Sequence, residues 1–302
     1  MQRWLIPVLL TVTMVSVCFG GCVENQNNNG DINSSVFIEG KGGYSSIQAA
    51  IDDAENGDTV LVKPGTYYET IVVNKSIKLV GGGAEKTTIT CRNDTSSGTI
   101  IIKIVANNTL VEGFRILSPT NQLSLRISGI MVVSSGNTIT NNTITNCAYG
   151  VYMYRGAENT NISFNMITNN QYGIYLLPGA DNNIIWGNNV SHNEDYGMRI
   201  KGKNNEVFEN MISHNNVGMY MCCGSAYNNI YNNSFIGNNE NAKDDKLTNS
   251  WSKNGWGNYW DDYKGVDEDE DGVGDTPYLL GGRGNRRDDS PLMEPPEIET
   301  PG

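Results

Sequence analysis

The sequence predicts an all-β fold: a single parallel β-solenoid with an N-terminal capping helix and an irregular C-terminal cap. Three observations predict it. First, an asparagine-x-apolar unit recurs at Asn142, Asn165, Asn188, Asn210 and Asn233, in steps of 23, 23, 22 and 23 residues. It carries Ile144, Ile167, Val190, Ile212 and Phe235, and five residues before each stands Ile139, Ile162, Ile185, Val207 or Ile230. Second, the glycine column Gly150, Gly173, Gly197 and Gly218 is followed at +1 by Val151, Ile174, Met198 and Met219, and at +3 by Met153, Leu176, Ile200 and Met221. A spacing of two is strand periodicity. The odd spacing of five requires a corner between two short strands, and asparagine suits corners because it tolerates left-handed backbone. Third, a helical pattern precedes the first β-rich run, where it would cover the open apolar end. A period near 23 residues with short strands and corners is one coil of a solenoid, which needs few apolar side chains per coil. An unfolded asparagine-rich tract would not hold five columns in register.

Taken in order, residues 1–22 read "MQRWLIPVLLTVTMVSVCFGGC", with Arg3, an apolar run and then small residues, which is a secretory signal. "FGGC" resembles a lipoprotein signal-peptidase site with lipidation at Cys22, so a lipid anchor to the membrane is expected, with simple secretion or an uncleaved anchor as the alternative. Residues 23–40 form a polar tether. The β-helix is expected over 41–245. Its capping helix lies near 46–56: Ser45 and Gln48 form a capping-box pattern, Ile47, Ala50, Ile51 and Ala54 share one face, and Gly57 ends it. The runs "TVLV", "TIVV" and "SIKLV" follow as strands, irregular coils fill 87–133, and regular coils fill 137–240. Residues 246–294 form an aromatic and acidic cap, and 295–302 a tail.

The net charge of −12 disfavours nucleic acid as a partner. Removing Cys18 and Cys22 leaves Cys91, Cys147, Cys222 and Cys223, too few in 302 residues for a disulfide scaffold. Asn-x-Ser/Thr sequons begin at residues 33, 74, 93, 107, 141, 161, 189 and 232.

"IQAAIDDAENGDTVLVKPGTYYE" (47–69) resembles the opening of right-handed β-helix proteins of the pectinesterase and pectate-lyase type. "GNYWDDY" (257–263), "DEDEDGVGDTPY" (267–278) and "DDSPLM" (288–293) together resemble the C-terminal signature of NosD-like β-helix proteins, within the broad carbohydrate-binding and sugar-hydrolase group of repeats. The resemblance covers about residues 40–293. It implies a right-handed parallel β-helix outside the membrane, of the kind found in archaeal surface proteins. It also implies the family's link to copper-site maturation, without fixing a reaction.

The candidate ligand-binding residues are Tyr152, Tyr175, Arg199 and Tyr220, which lie two after the column glycines and point outward if +1 and +3 point in. Tyr149, Tyr172, Tyr196 and Val217 immediately precede the glycines. Coils stacked about 4.8 Å apart would place the tyrosines as a stripe for successive sugar rings, with Arg199 on an acidic group; the alternative is a self-stacking ladder. His192 and His214 fall in one column with Asn146 and Asn169, as an interior polar corner ladder or, with too few ligands, a metal or base site. Met153, Met198, Met219 and Met221 with Cys222 and Cys223 invite a copper(I) site, though the methionine columns are inward and read as core filler. "GMRIKG" (197–202) resembles the Arg-Ile-Lys signature of polygalacturonases, but a Gly-His-Gly segment is missing and Asp181, Glu194 and Asp195 have no evident pairing. A lyase would need a base such as Lys201 with calcium.

In "DEDEDGVGD", Asp267, Asp269, Asp271 and Asp275 take positions 1, 3, 5 and 9 of a calcium loop, with Gly272 at 6 and the Val273 carbonyl at 7. Tyr278 stands at 12 in place of glutamate, so either the affinity is low or another acid closes the shell, with Asp261, Asp262, Asp288 and Asp289 as candidates. Calcium is expected as a structural cofactor. The expected function is binding polysaccharide or surface glycan along the coil face from an extracytoplasmic, lipid-anchored position. The alternatives are a polysaccharide lyase or glycoside hydrolase, and an accessory protein for copper-site assembly.

Overall fold

The computed structural model describes residues 34–92, 96–120, 123 and 126–298, which lie in one compact unit, Asp31–Gly302. The expected signal, Cys22, most of the tether and the sequons at 33 and 93 lie outside the described residues.

Among the described residues three sheets of ten, nine and eight strands build a β-helix, parallel throughout except at the N-terminal edge of the ten-stranded sheet, and each regular turn of chain contributes one strand to each. Thr138–Thr140, Thr143–Thr145 and Tyr149–Met153 form one turn; Asn161–Ser163, Met166–Thr168 and Tyr172–Leu176 form the next. The register follows the sequence columns. Ile144 pairs with Ile167, Ile167 with Val190, Val190 with Ile212, and Ile212 with Phe235, and each is fully buried.

The sparse apolar core is completed by buried amides. Asn142, Asn165, Asn188, Asn210, Asn233 and Asn258 form a ladder at one corner, each at most 1% exposed. Each Nδ2 donates to Oδ1 of the next coil at 2.9–3.1 Å. That same Oδ1 accepts the backbone N–H of the preceding coil's asparagine, as Asn188 does from Asn165. Nδ2 also takes up backbone carbonyls; that of Asn165 donates to Ile139 and Ser163. Corner backbone that would otherwise be orphaned is thus satisfied. Asn170, Asn193, Asn215 and Asn238 form a second ladder, and Asn183, Asn205, Asn228 and Asn249 a third.

These ladders have a direction. Every amide-to-amide bond runs toward the C-terminal end, so the last amide needs an acceptor with no further donor to place. Asn258 meets the Asp288 carboxylate through its backbone N–H (2.7 Å) and Nδ2 (3.3 Å). Asn249 donates to both oxygens of Asp244 at 3.1 Å. Trp260 Nε1 donates to Asp288 and Trp251 Nε1 to Asp244, each at 3.0 Å. Both carboxylates are fully buried, and burial pushes Asp288 up to about 6 and raises Asp244.

The N-terminal helix is Ile47–Asp53, shorter than the expected 46–56. Its cap is Ser46 rather than Ser45, with Ser46 Oγ accepting from Ala49 N–H at 3.1 Å. Gln48 does not close a capping box; it reaches across to Val72 N–H (2.8 Å), while Glu69 accepts from Ile47 and Gln48 N–H. Ile47, Ala50, Ile51 and Ala54 are buried as the spacing predicts. Val36–Ile38 falls within the stretch expected to be tether, yet it is a strand pairing antiparallel with Thr59–Val62, because Val36 and Ile38 alternate into the core. At the other end, Tyr259–Trp260 continues the nine-stranded sheet into the cap, with Trp260 pairing with Phe235.

Candidate functional site

The outer face of the eight-stranded sheet carries the expected column. Tyr152 pairs with Tyr175, Tyr175 with Arg199, and Arg199 with Tyr220. A second column stands beside it, because Tyr149, Tyr172 and Tyr196 also point outward while the glycine and the +1 residue turn inward. The two columns interleave into one stack. Ring centroids lie 4.7 Å apart for Tyr149–Tyr152, 5.6 Å for Tyr152–Tyr175 and 5.6 Å for Tyr172–Tyr196, with planes within 18°. The Arg199 guanidinium sits over Tyr175, Tyr196 and Tyr220 at 5.3–5.6 Å.

This arrangement corrects the expectation of a solvent-exposed stripe offering ring faces. Tyr175 is only 8% exposed, and Tyr152, Arg199 and Tyr220 are half-buried. Ring faces meet one another, so a ligand would meet edges, hydroxyls and the guanidinium. Burial pushes Tyr152 up to about 12 and raises Tyr172; the hydrogen bond to Asp245 raises Tyr220. These phenols are therefore protonated donors at neutral pH. Lys201 Nζ donates to Tyr175 Oη at 2.6 Å, and Tyr220 Oη donates to Asp245 at 2.7 Å.

His192 and His214 are not interior. Both occupy exposed left-handed corners (φ +56°), with rings parallel and 4.9 Å apart. The buried ladders are built instead by the asparagines just described, since an amide can both donate and accept along the stack. His192 borders a cavity of about 320 Å³ with Asn146, Asn169, Asn170, Glu194 and Leu123. Of the acids weighed for catalysis, Asp181 accepts Lys203 N–H (2.8 Å) and Asp195 accepts from Gln171 Nε2 (3.0 Å). Met153, Met198, Met219 and Met221 are fully buried in the core.

A second aromatic stripe was not evident from the sequence. Trp186, Phe208 and Tyr231 stack on the ten-stranded sheet at 5.9 and 5.3 Å, with Phe164 edge-on to Trp186. Each lies two residues before a repeat asparagine, so the same column reading could have found it. Lys253 closes its end, over Tyr231 at 5.0 Å and paired with Glu206 at 2.7 Å.

In the acidic loop, carboxylate oxygens of Asp267, Asp269 and Asp271 lie within 4.8 Å of one another, a donor set suited to a hard cation. Repulsion from Asp271 raises Asp269. Asp267 accepts from Asp271 and Gly272 N–H, Asp271 from Val273 N–H, and Asp275 from Glu268 N–H. Gly272 takes φ +87° at the turn. The four acids that were candidates to close the shell are engaged elsewhere, which leaves the low-affinity alternative. Asp261 and Asp262 accept from Asn241, Asp288 ends a ladder, and Asp289 pairs with Arg287.

Comparison with known proteins agrees with this architecture. Over 158 residues the chain is 34% identical to a cell surface glycoprotein of Methanothermus fervidus, covering 52% of this chain and 23% of that protein. Over 46 residues it is 48% identical to a probable ABC transporter binding protein NosD of Pseudomonas aeruginosa, covering 15% of this chain and 11% of that protein. The chain thus spans less than a quarter of the length of either relative. Among solved structures, the pectate lyase Pel9A superposes with a TM-score of 0.51 at 15% identity, over 76% of this chain and 68% of that one, a likeness of fold alone. Among the described residues no helix is long and apolar enough to cross a membrane. Residues 51–265 match the family model described as periplasmic copper-binding protein (NosD), and the chain belongs to that family.

Proposed function

We propose that this chain is an extracytoplasmic surface protein that binds polysaccharide or surface glycan on the outer face of the eight-stranded sheet. The observation that carries this reading is the packed phenol stack of Tyr149, Tyr152, Tyr172, Tyr175, Tyr196 and Tyr220 around Arg199. Fixed hydroxyls and a guanidinium with little rotational freedom left suit the hydroxyls and carboxylates of a glycan, because their ordering is complete before the ligand arrives. The family and the cell surface glycoprotein relative support the extracytoplasmic setting. We assign membrane attachment to lipid at Cys22 and structural calcium to Asp267, Asp269, Asp271, Asp275 and the Val273 carbonyl.

The test is retention on immobilised polysaccharides of differing charge, with release of reducing ends and of unsaturated uronate monitored in parallel. Retention without product release supports binding. Product release would favour the lyase or hydrolase reading, and copper binding in titration without glycan retention would favour the accessory role.

A further inference from the structure

We propose that Cys222 and Cys223 form a reversible two-electron thiol–disulfide site that reacts with low-molecular-weight disulfides. The two sulfurs touch, with Sγ–Sγ at 2.8 Å. They differ in access: Cys222 is 1% exposed, whereas Cys223 is exposed. The turn that presents them is pinned. Cys222 N–H donates to Ile200 O at 3.3 Å, and the Cys222 carbonyl accepts from Gly224 N–H at 2.7 Å and Ser225 N–H at 3.1 Å. Cys223 is held at φ +63°, a left-handed conformation that a cysteine side chain disfavours. Arg199 supplies the charge: its Nη2 lies 3.9 Å from Cys222 Sγ, and its buried Nε has no hydrogen-bond partner.

The geometry divides the roles. The accessible Cys223 thiolate attacks a disulfide R–S–S–R, forming Cys223–S–S–R and releasing R–S⁻. Burial raises Cys222, and the Arg199 guanidinium opposes that rise by favouring its thiolate. The Cys222 thiolate then attacks Cys223 Sγ, forming the Cys222–Cys223 bond and expelling the second R–S⁻. Two protein thiols are oxidised by two electrons, one small disulfide is reduced to two thiols, and the two cysteine protons go to the departing thiolates. Adjacent Cα atoms are about 3.8 Å apart, closer than an ordinary disulfide prefers, so the ring reopens readily with a dithiol. Among the described residues Cys91 and Cys147 are buried and do not compete, and peptide mapping separates Cys18 and Cys22 from the pair.

The experiment uses the reduced full chain, oxidised glutathione as probe, and intact mass with alkylation and peptide mapping as readout. The expected result is loss of two hydrogens on the peptide carrying both residues, no glutathione retained on that peptide, and reversal by dithiothreitol. Cys222→Ser should trap glutathione on Cys223, and Cys223→Ser should leave the buried Cys222 unreacted. The proposal is overturned if the wild-type chain keeps glutathione on Cys223, or if both thiols still alkylate after exposure. The wild-type readout decides the matter even if a variant fails to fold.

Discussion

Two aromatic stripes run up this β-helix, and they differ in what surrounds the rings. On the ten-stranded sheet, Trp186, Phe208 and Tyr231 stack at coil spacing with one lysine at the end. On the eight-stranded sheet, two tyrosine columns interleave, and Arg199 lies among three of the rings. Both stripes gain from stacking, so stacking by itself marks no site. What separates the second is its row of phenol hydroxyls gathered around one half-buried guanidinium. The stripe that does more than stabilise coils should be the one whose polar atoms exceed its internal needs.

Both stripes rest on the same interior, so a core change must damage them equally. Ile167→Asp places an unpaired carboxylate among fully buried residues. We expect a loss of more than about 4 kcal/mol, seen as failure to give a cooperative melt. Wild-type stability in this variant would show that the Ile144, Ile167, Val190 and Ile212 column is not the interior on which both stripes rest.

A smaller shared effect comes from the ladder ends. Asp288→Ala leaves the Asn258 backbone and side-chain donors and Trp260 Nε1 without their acceptor. The expected cost is about 3–5 kcal/mol by chemical denaturation. The same group sets a pH dependence. Its folded pKa of about 6 lies above the ordinary carboxylate value of about 3.9. The folded state therefore holds the proton more tightly, and this stabilisation is full below pH ~4 and lost as pH rises to ~6. Asp288→Asn should remove that decline, worth at most about 3 kcal/mol. An unchanged pH profile in the variant would show that Asp288 is not its source.

The smallest effect is expected at the acidic loop of residues 267–275, the proposed calcium site. Calcium at ten times its Kd should stabilise the chain by about 1.4 kcal/mol, and Asp267→Ala with Asp271→Ala should abolish the gain. No calorimetric binding at millimolar calcium would leave the loop an acidic turn.

The coil register was legible because Ile144, Ile167, Val190 and Ile212 repeat at a fixed step on one face, which is a statement about burial. The asparagines were legible only in part. Asn141 and Asn142 are neighbours of one residue type, yet the first is an exposed left-handed corner and the second a buried rung. Composition favours both roles equally, and only the stacked partner decides. Asp288 was misleading for a related reason: an acid near an acidic loop reads as a cation ligand, while its amide and indole partners come from Asn258 and Trp260, about thirty residues earlier. The tyrosine column was found, but its exposure was not, because strand alternation says which side a ring takes and nothing about a second column beside it.

The most direct test compares the two stripes on immobilised polysaccharide. Tyr152→Phe, Tyr175→Phe and Tyr220→Phe with Arg199→Met keep the rings and remove the guanidinium and three of the six stacked hydroxyls; Trp186→Leu, Phe208→Leu and Tyr231→Leu alter the other stripe. The account predicts roughly tenfold weaker retention for the first set, as loss of the guanidinium and of ligand contacts to the Tyr152 and Tyr175 hydroxyls implies, and a change within about twofold for the second, with both sets still folded by circular dichroism. Equal retention in the two sets, or greater loss in the second, would contradict it.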